Sequence, residues 1–352
     1  LKTLHESFDP KRNSLNAVRL VLASSVIVCH GAVITSGSTA PRGLFDPLVG
    51  QLPVDGFFAL SGFLIAGSWL RRPQGGSYLR SRLGRLMPGY WVCILVTALV
   101  AAPVSAVATG GTSWSELLSA SGQYIVKNAG LVVVQHDIAG TPSGVPYPGD
   151  WNASLWTLKW EMLCYLAVLA LGVLGLMGRR WVHLMGFAGA LALSVLCVSA
   201  DLPGIFADAS RFALMYEAGV LLYLFRKRIP VSWPLVVSAA GVIVLSAAVV
   251  PDYRLVAALP LGYVLLGLGS LVTSDRLRLR NDVSYGMYVY GFPVEQLLAH
   301  TPVGDVPLLV FCTVAIICTY PLAALSWFFV EKPAMARITG RRRSPIPVDT
   351  AT

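Results

Sequence analysis

The sequence predicts an all-α polytopic membrane protein, with about ten transmembrane helices and both termini in the cytoplasm. Three observations carry that prediction. The chain is 55% hydrophobic and only 13% charged, with a mean hydropathy of +0.66, against roughly 25% charged residues in soluble domains. Its apolar residues fall into runs of roughly 17–22, the length that crosses the hydrocarbon core as a helix. Its basic residues cluster between those runs, and every cluster falls on the same side, as the positive-inside rule requires of a cytoplasmic face. A net charge of +9 would suggest nucleic acid in a soluble protein. Here it reads as topology, and no nucleic-acid partner is expected.

Taken in order, the spans are expected near 17–35, 53–70, 88–107, 154–177, 181–200, 205–225, 232–250, 254–273, 283–299 and 306–330. Lys2, Lys11 and Arg12 precede the first run, which is too long for a signal-peptide core and lacks a small-residue cleavage site, so it is read as retained. The cytoplasmic loops carry Arg71, Arg72, Arg80, Arg82 and Arg85, then Arg179 and Arg180, then Arg226, Lys227 and Arg228, then Arg276, Arg278 and Arg280. The stretch 115–138 is apolar in part but interrupted by Lys127 and Asn128. Counting it as a span would invert every later loop, so it is expected to be an interfacial or re-entrant helix on the outer face. The segment from Gly140 to Asn152 is rich in Gly, Pro and Ser and reads as a long loop. After 1–337, residues 338–352 form a basic tail with Arg341, Arg342 and Arg343, expected to be cytoplasmic and without fixed structure. All six cysteines lie inside apolar runs, which suits small buried hydrophobes and not a disulfide framework. No metal site is expected.

Polar residues at membrane depth concentrate in the first half. The first span holds Arg19 and His30. Eleven positions at about 100° each return nearly to the starting direction, so the two share a helix face about 16 Å apart. An ionisable group inside a spanning helix costs roughly 2.5–3.5 kcal/mol on insertion scales and often marks a site. Snorkelling of Arg19 to the interface and a hydrogen-bonded structural role for His30 are the competing readings, which their common face makes less attractive. The second span opens with Asp55, followed by Gly56, Phe57, Phe58, Ser61 and Gly62. Its glycines suit close helix packing, but packing does not explain the acid. The fourth contains Trp156, Lys159, Glu161 and Tyr165. Glu161 needs a cation on a neighbouring helix, a water cavity or a proton.

Several strings resemble one family. Arg19 and His30 with ten residues between them, DGFFALSGFLI from Asp55, the cluster of Arg82, Arg85, Pro88, Tyr90 and Trp91, SLWTLKWE to Glu161 with Tyr165, SYGMYVYGFPV from Ser284, and FVEKP from Phe329 to Pro333 resemble the membrane-bound acyltransferase 3 family. They occur in the family's order over nearly the whole chain. The resemblance implies a ten-helix enzyme of the bacterial inner membrane. Such an enzyme moves an acyl group, commonly acetyl, from cytoplasmic coenzyme A to a hydroxyl of an envelope glycan or glycolipid. The family's essential arginine and histidine match Arg19 and His30. Two positions depart from its pattern: Lys159 stands where proline or a small residue is usual, and Gly291 where a histidine usually precedes the FP.

On that reading His30 is the general base that takes the hydroxyl proton, an effect of about 10²- to 10⁴-fold. Arg19 stabilises the oxyanion or holds the donor, and Arg82 and Arg85 grip the phosphates of coenzyme A. Glu161 or Asp55 could orient His30 or bind the acceptor, and Asp55, Trp156, Tyr165 and Tyr285 are the expected substrate-binding residues. Acyl-CoA is a donor substrate, and no tightly bound cofactor is expected. A secondary transporter with buried ions is the alternative from another class.

Overall fold

The computed structural model describes the chain except Lys11, residues 39–45, 111–112, 201 and 339–352, so the expected basic tail lies outside the described residues apart from Ile338. The described residues form fourteen α-helices in order. They are α1 (Leu4–Ser7), α2 (Leu15–Ser36), α3 (Asp46–Arg71), α4 (Gly75–Val96), α5 (Ala102–Thr109), α6 (Trp114–Asn128) and α7 (Leu158–Val173). Then come α8 (Arg180–Ala200), α9 (Gly204–Phe225), α10 (Trp233–Val249), α11 (Arg254–Leu271), α12 (Ser284–Ala299), α13 (Leu308–Ser326) and α14 (Lys332–Ile338). Among the described residues short 3-10 and π turns and isolated β-bridges accompany them, and no strand forms.

Each of the ten expected stretches is helical. Among the described residues seven helical runs are long and apolar enough to cross a membrane: Leu15–Ser36, Gly50–Arg71, Gly75–Thr109, Ala153–Val173, Arg180–Ala200, Arg254–Leu271 and Leu308–Ile338. The others fall short for separate reasons. Helix α9 has 22 residues but carries Asp208, Arg211 and Glu217. Helices α10 and α12 have 17 and 16 residues.

The two longest runs each contain one π-helical turn, Thr97–Ala101 between α4 and α5 and Trp327–Glu331 between α13 and α14. Each turn ends two residues before a proline, Pro103 or Pro333. Proline has no N–H to give and its ring displaces the carbonyl one turn back, so the turn ahead of it widens.

Close helix packing centres on α3 and α9. A Cβ added at Gly62 would sit 2.0 Å from the Tyr216 carbonyl oxygen, and one at Gly219 would sit 2.0 Å from that of Ala59. Backbones this close require glycine. Around the crossing, Phe58, Phe63, Phe212, Tyr216 and Leu266 build the larger apolar core. A second core joins α4, α6, the 131–155 segment and α12 through Tyr90, Tyr124, Trp151 and Tyr288. Helix α12 runs through the middle, every residue from Ser284 to Gln296 buried, with α2, α13 and α4 packed around it.

The stretch 115–138 differs from expectation. Helix α6 stops at Asn128, and the apolar run Leu131–Val134 is extended chain, with Leu131 at φ 65°. The cause is the Asn128 side chain. Its Oδ1 accepts from the Val134 and Gln135 amides at 2.8 and 3.0 Å, and its Nδ2 donates to the Gln135 carbonyl at 2.8 Å. A buried amide that folds the chain back on itself competes with helix continuation.

Candidate active site

A cavity of about 190 Å³ opens between α2, α3, α4, α7 and α12. Six of the nine candidate catalytic and binding residues line it: Arg19, Arg82, Arg85, Glu161, Tyr165 and Tyr285. Its charges are arranged as a ladder. Arg19 and Arg85 both bind Oδ2 of Asp282, at 2.7 and 2.8 Å, and Arg85 reaches Glu331 with its other nitrogen at 3.0 Å. Ser284 donates to Asp282 and Ser326 donates to Glu331 at 3.0 Å. The π turn ahead of Pro333 carries Glu331, and the carboxylate ends fully buried beside Arg85.

Asp282 lies in the connection before α12, at the border of the helical bundle. Burial raises its pKa, but Arg19, Arg85 and the Ser284 hydrogen bonds outweigh burial and hold it below the usual carboxylate range. The guanidinium of Arg85 also stands 5.6 and 5.2 Å from the ring centroids of Tyr285 and Trp327. Arg82 differs from its neighbour. It lies over Tyr78 and Tyr165 at 5.7 and 5.9 Å, pairs with no carboxylate among the described residues, and its buried Nε has no hydrogen-bond partner. Glu161 accepts a short hydrogen bond from Tyr165, so the partner that sequence reasoning required is a phenol beside a cavity.

The shared face of Arg19 and His30 is turned toward α12. Arg19 meets Asp282 just before that helix, and the His30 ring makes an edge contact with Phe292 at 5.1 Å. His30 does not line the cavity. Tyr288 is the last cavity residue along α12 and Phe292 lies one turn, about 6 Å, beyond it. The turn between is filled. A Cβ at Gly291 would fall 2.8 Å from Ile27, Ile27 is fully buried, and Phe57 packs edge-on to Tyr288 at 6.1 Å. The glycine at the family's usual histidine position is thus the seat of Ile27.

Asp55 and Trp156 lie elsewhere. Asp55 is fully buried and accepts from Arg211 at 2.7 Å, from Arg254 at 2.6 Å and from Tyr253. Four elements, α3, α9, the turn before α11 and α11 itself, are tied together there. Trp156 packs against Phe212 at 5.6 Å. Neither Asp55 nor Glu161 hydrogen-bonds to His30. Sequence reasoning gave no role to Asp282, Glu331, Thr157 or Tyr288. Asp282 carried a usable signal, an acid at the end of a span on the side where Arg19 begins another.

Long apolar helices bundled around a cavity with paired arginines and carboxylates mark a polytopic membrane protein. The profile of the acyltransferase 3 family, an acyltransferase domain, matches residues 12–327, and the chain belongs to that family of acyltransferases. It is 29% identical over 368 aligned residues to Nodulation protein 10 of Rhizobium leguminosarum bv. viciae, covering 94% of this chain and 95% of that protein. It is 26% identical over 351 residues to the O-acetyl transferase of Shigella phage Sf6, covering 93% and 97%. No solved structure matches the chain.

Proposed function

We propose that the chain is a ten-span O-acyltransferase of the bacterial inner membrane, both termini cytoplasmic, that moves an acetyl group from acetyl-CoA to a hydroxyl of an envelope glycan or glycolipid. The observation that carries this reading is the cavity that gathers Arg19, Arg82, Arg85, Glu161, Tyr165 and Tyr285 at one end of α2, with His30 near the other end on the same face. The similarity to the phage O-acetyl transferase supports acetyl as the group and oxygen as the acceptor atom.

The thioester enters at the Arg19 end. The acceptor hydroxyl approaches His30, whose neutral imidazole takes its proton as the oxygen attacks the thioester carbonyl. The C–O bond forms, the C–S bond breaks, and the proton passes from the imidazolium to the departing thiolate. Arg19, about 16 Å from His30 along α2, holds the donor at its own end of the path. For the carbonyl to reach His30, the layer of Ile27, Phe57 and Tyr288 yields during turnover. Tyr165 and Tyr285 line the arm of the donor, and Glu161 holds Tyr165 in place.

The test is reconstitution in vesicles with radiolabelled acetyl-CoA and envelope extract, followed by mass spectrometry of glycans and glycolipids from cells with and without the gene. A single added acetyl mass that depends on the protein is expected. His30→Ala, inserted and folded as the native protein, is expected to lose at least 10²-fold in rate. Undiminished transfer by that variant sinks the histidine base, and absence of any acetylated product sinks the activity.

A further inference from the structure

A second cavity, of about 530 Å³, adjoins the first, sharing Arg19, Leu64 and Arg82 with it. Its outer wall is the N-terminal segment. That segment is pinned in place: the Leu4 and His5 amides donate to the carbonyls of Ile229 and Arg226 at 2.8 and 3.0 Å, and Val231 donates to the Lys2 carbonyl at 2.9 Å. Leu4 is fully buried, and Phe8 packs edge-on to Phe63 at 5.4 Å. Arg71, Arg82 and Arg226 all line this cavity, and its described lining contains no carboxylate. None of the three forms an ion pair with a described residue, whereas Arg19, Arg85, Arg211 and Arg254 all do. Arg226 is pre-oriented, with its guanidinium 3.9 Å from the Tyr223 ring centroid and donating to the Tyr223 carbonyl at 2.7 Å.

Three unneutralised guanidiniums converging on a concave surface are a binding site for a polyanion, because fixed planar donors match phosphate oxygens and focus a positive potential. The connection through Arg19 and Arg82 into the first cavity suits a ligand with a polyphosphate head and a thin uncharged arm. We infer that Arg71, Arg82 and Arg226 hold the phosphates of the nucleotide portion of the donor in this second cavity. The assignment rests on the acyl-CoA reading above and alters it in one respect. Arg85, committed at both ends to Asp282 and Glu331, is a structural strut of the first cavity and holds no phosphate.

The experiment is titration calorimetry of the full chain in nanodiscs with coenzyme A, dephospho-coenzyme A and pantetheine, for the native protein and for Arg71→Ala, Arg226→Ala and the double variant. The native protein is expected to bind coenzyme A at least 10-fold more tightly than pantetheine, with a preference that falls as salt rises. The double variant is expected to lose that preference while its pantetheine affinity and thermal melt stay native. Arg71→Lys, which keeps the charge, should lie between. Native coenzyme A affinity in the double variant overturns the assignment and leaves the acyl-CoA reading standing. So does release of co-purified anionic phospholipid by the variant with coenzyme A affinity unchanged, which gives the arginines to lipid headgroups. Equal loss of coenzyme A and pantetheine also overturns it. Failure of the native protein to bind either compound overturns the acyl-CoA reading itself.

Discussion

At the scale of single residues, Asp282 is the hinge of the charge ladder, because two guanidiniums share one of its oxygens. Asp282→Asn keeps the shape and removes the anion, so Arg19 loses its carboxylate and Arg85 keeps only Glu331. A loss of about 3 kcal/mol is expected, the order seen when one partner of a buried ion pair is removed, read as a lower melting temperature in detergent. The pH dependence follows from the same contact. A carboxylate held below its unfolded value, about 3.9, contributes stability that is complete above that value and lost as pH falls through the folded one. Melting temperatures of native protein and Asp282→Asn should therefore differ most at neutral pH and converge below about pH 4. A constant difference would dissociate Asp282 from the acid response. Arg19, Glu161 and Tyr165 were legible in sequence because a charge or phenol in an apolar run is conspicuous, whereas Arg82, Arg85 and Tyr285, which line the same cavity, came from the family's motifs. Asp282 and Glu331 were not, since an acid at a span border looks solvated until a cation from a distant helix is known to reach it.

At the scale of elements, helices were read accurately where hydrophobic length decides, and least well where one side chain decides. Asn128 ends α6 by capturing amides six and seven residues on, a choice that neither periodicity nor composition records. The α3–α9 crossing is a case where the sequence was half legible: its glycines marked close packing, but not the partner helix. Gly62→Ala is expected to cost about 1–3 kcal/mol or more, since the new methyl meets a backbone oxygen that cannot rotate away. Gly122 provides the contrast. It lies within α6 with open space around its Cβ position, and Gly122→Ala should raise stability by about 0.5–1 kcal/mol, the helix preference for alanine. Thermal unfolding of the two variants in the same detergent checks both signs. Equal effects would mean that the crossing tolerates separation.

At the scale of the whole molecule, seven helical runs among the described residues satisfy the length and apolarity of a span, while α9, α10 and α12 do not. Helix α12 is the extreme, short, buried from Ser284 to Gln296 and rich in tyrosine. Its sequence reads as a span only because the chain before and after requires one. The path between Arg19 and His30 could not be read from sequence, because it depends on how far α2 and α12 approach, which the Ile27–Gly291 contact sets.

The packed layer of Ile27, Phe57 and Tyr288 has an electrical consequence. With the cavities hydrated from the cytoplasm as proposed, water carries the cytoplasmic potential up to Tyr288, and the membrane voltage drops across the layer and what lies beyond it. The proposed reaction crosses that drop with neutral groups alone: the thioester arm comes in, and the hydroxyl proton goes back as the S–H of the thiol. A lone proton crossing about one third of the voltage would change its barrier by about 0.8 kcal/mol per 100 mV, roughly fourfold in rate. Acetyl transfer in vesicles should accordingly keep its rate when a potassium gradient and valinomycin make the Arg19 side negative, and keep it when the gradient is reversed. A rate that quickens with the Arg19 side negative would mean that the proton crosses the layer without the thiol.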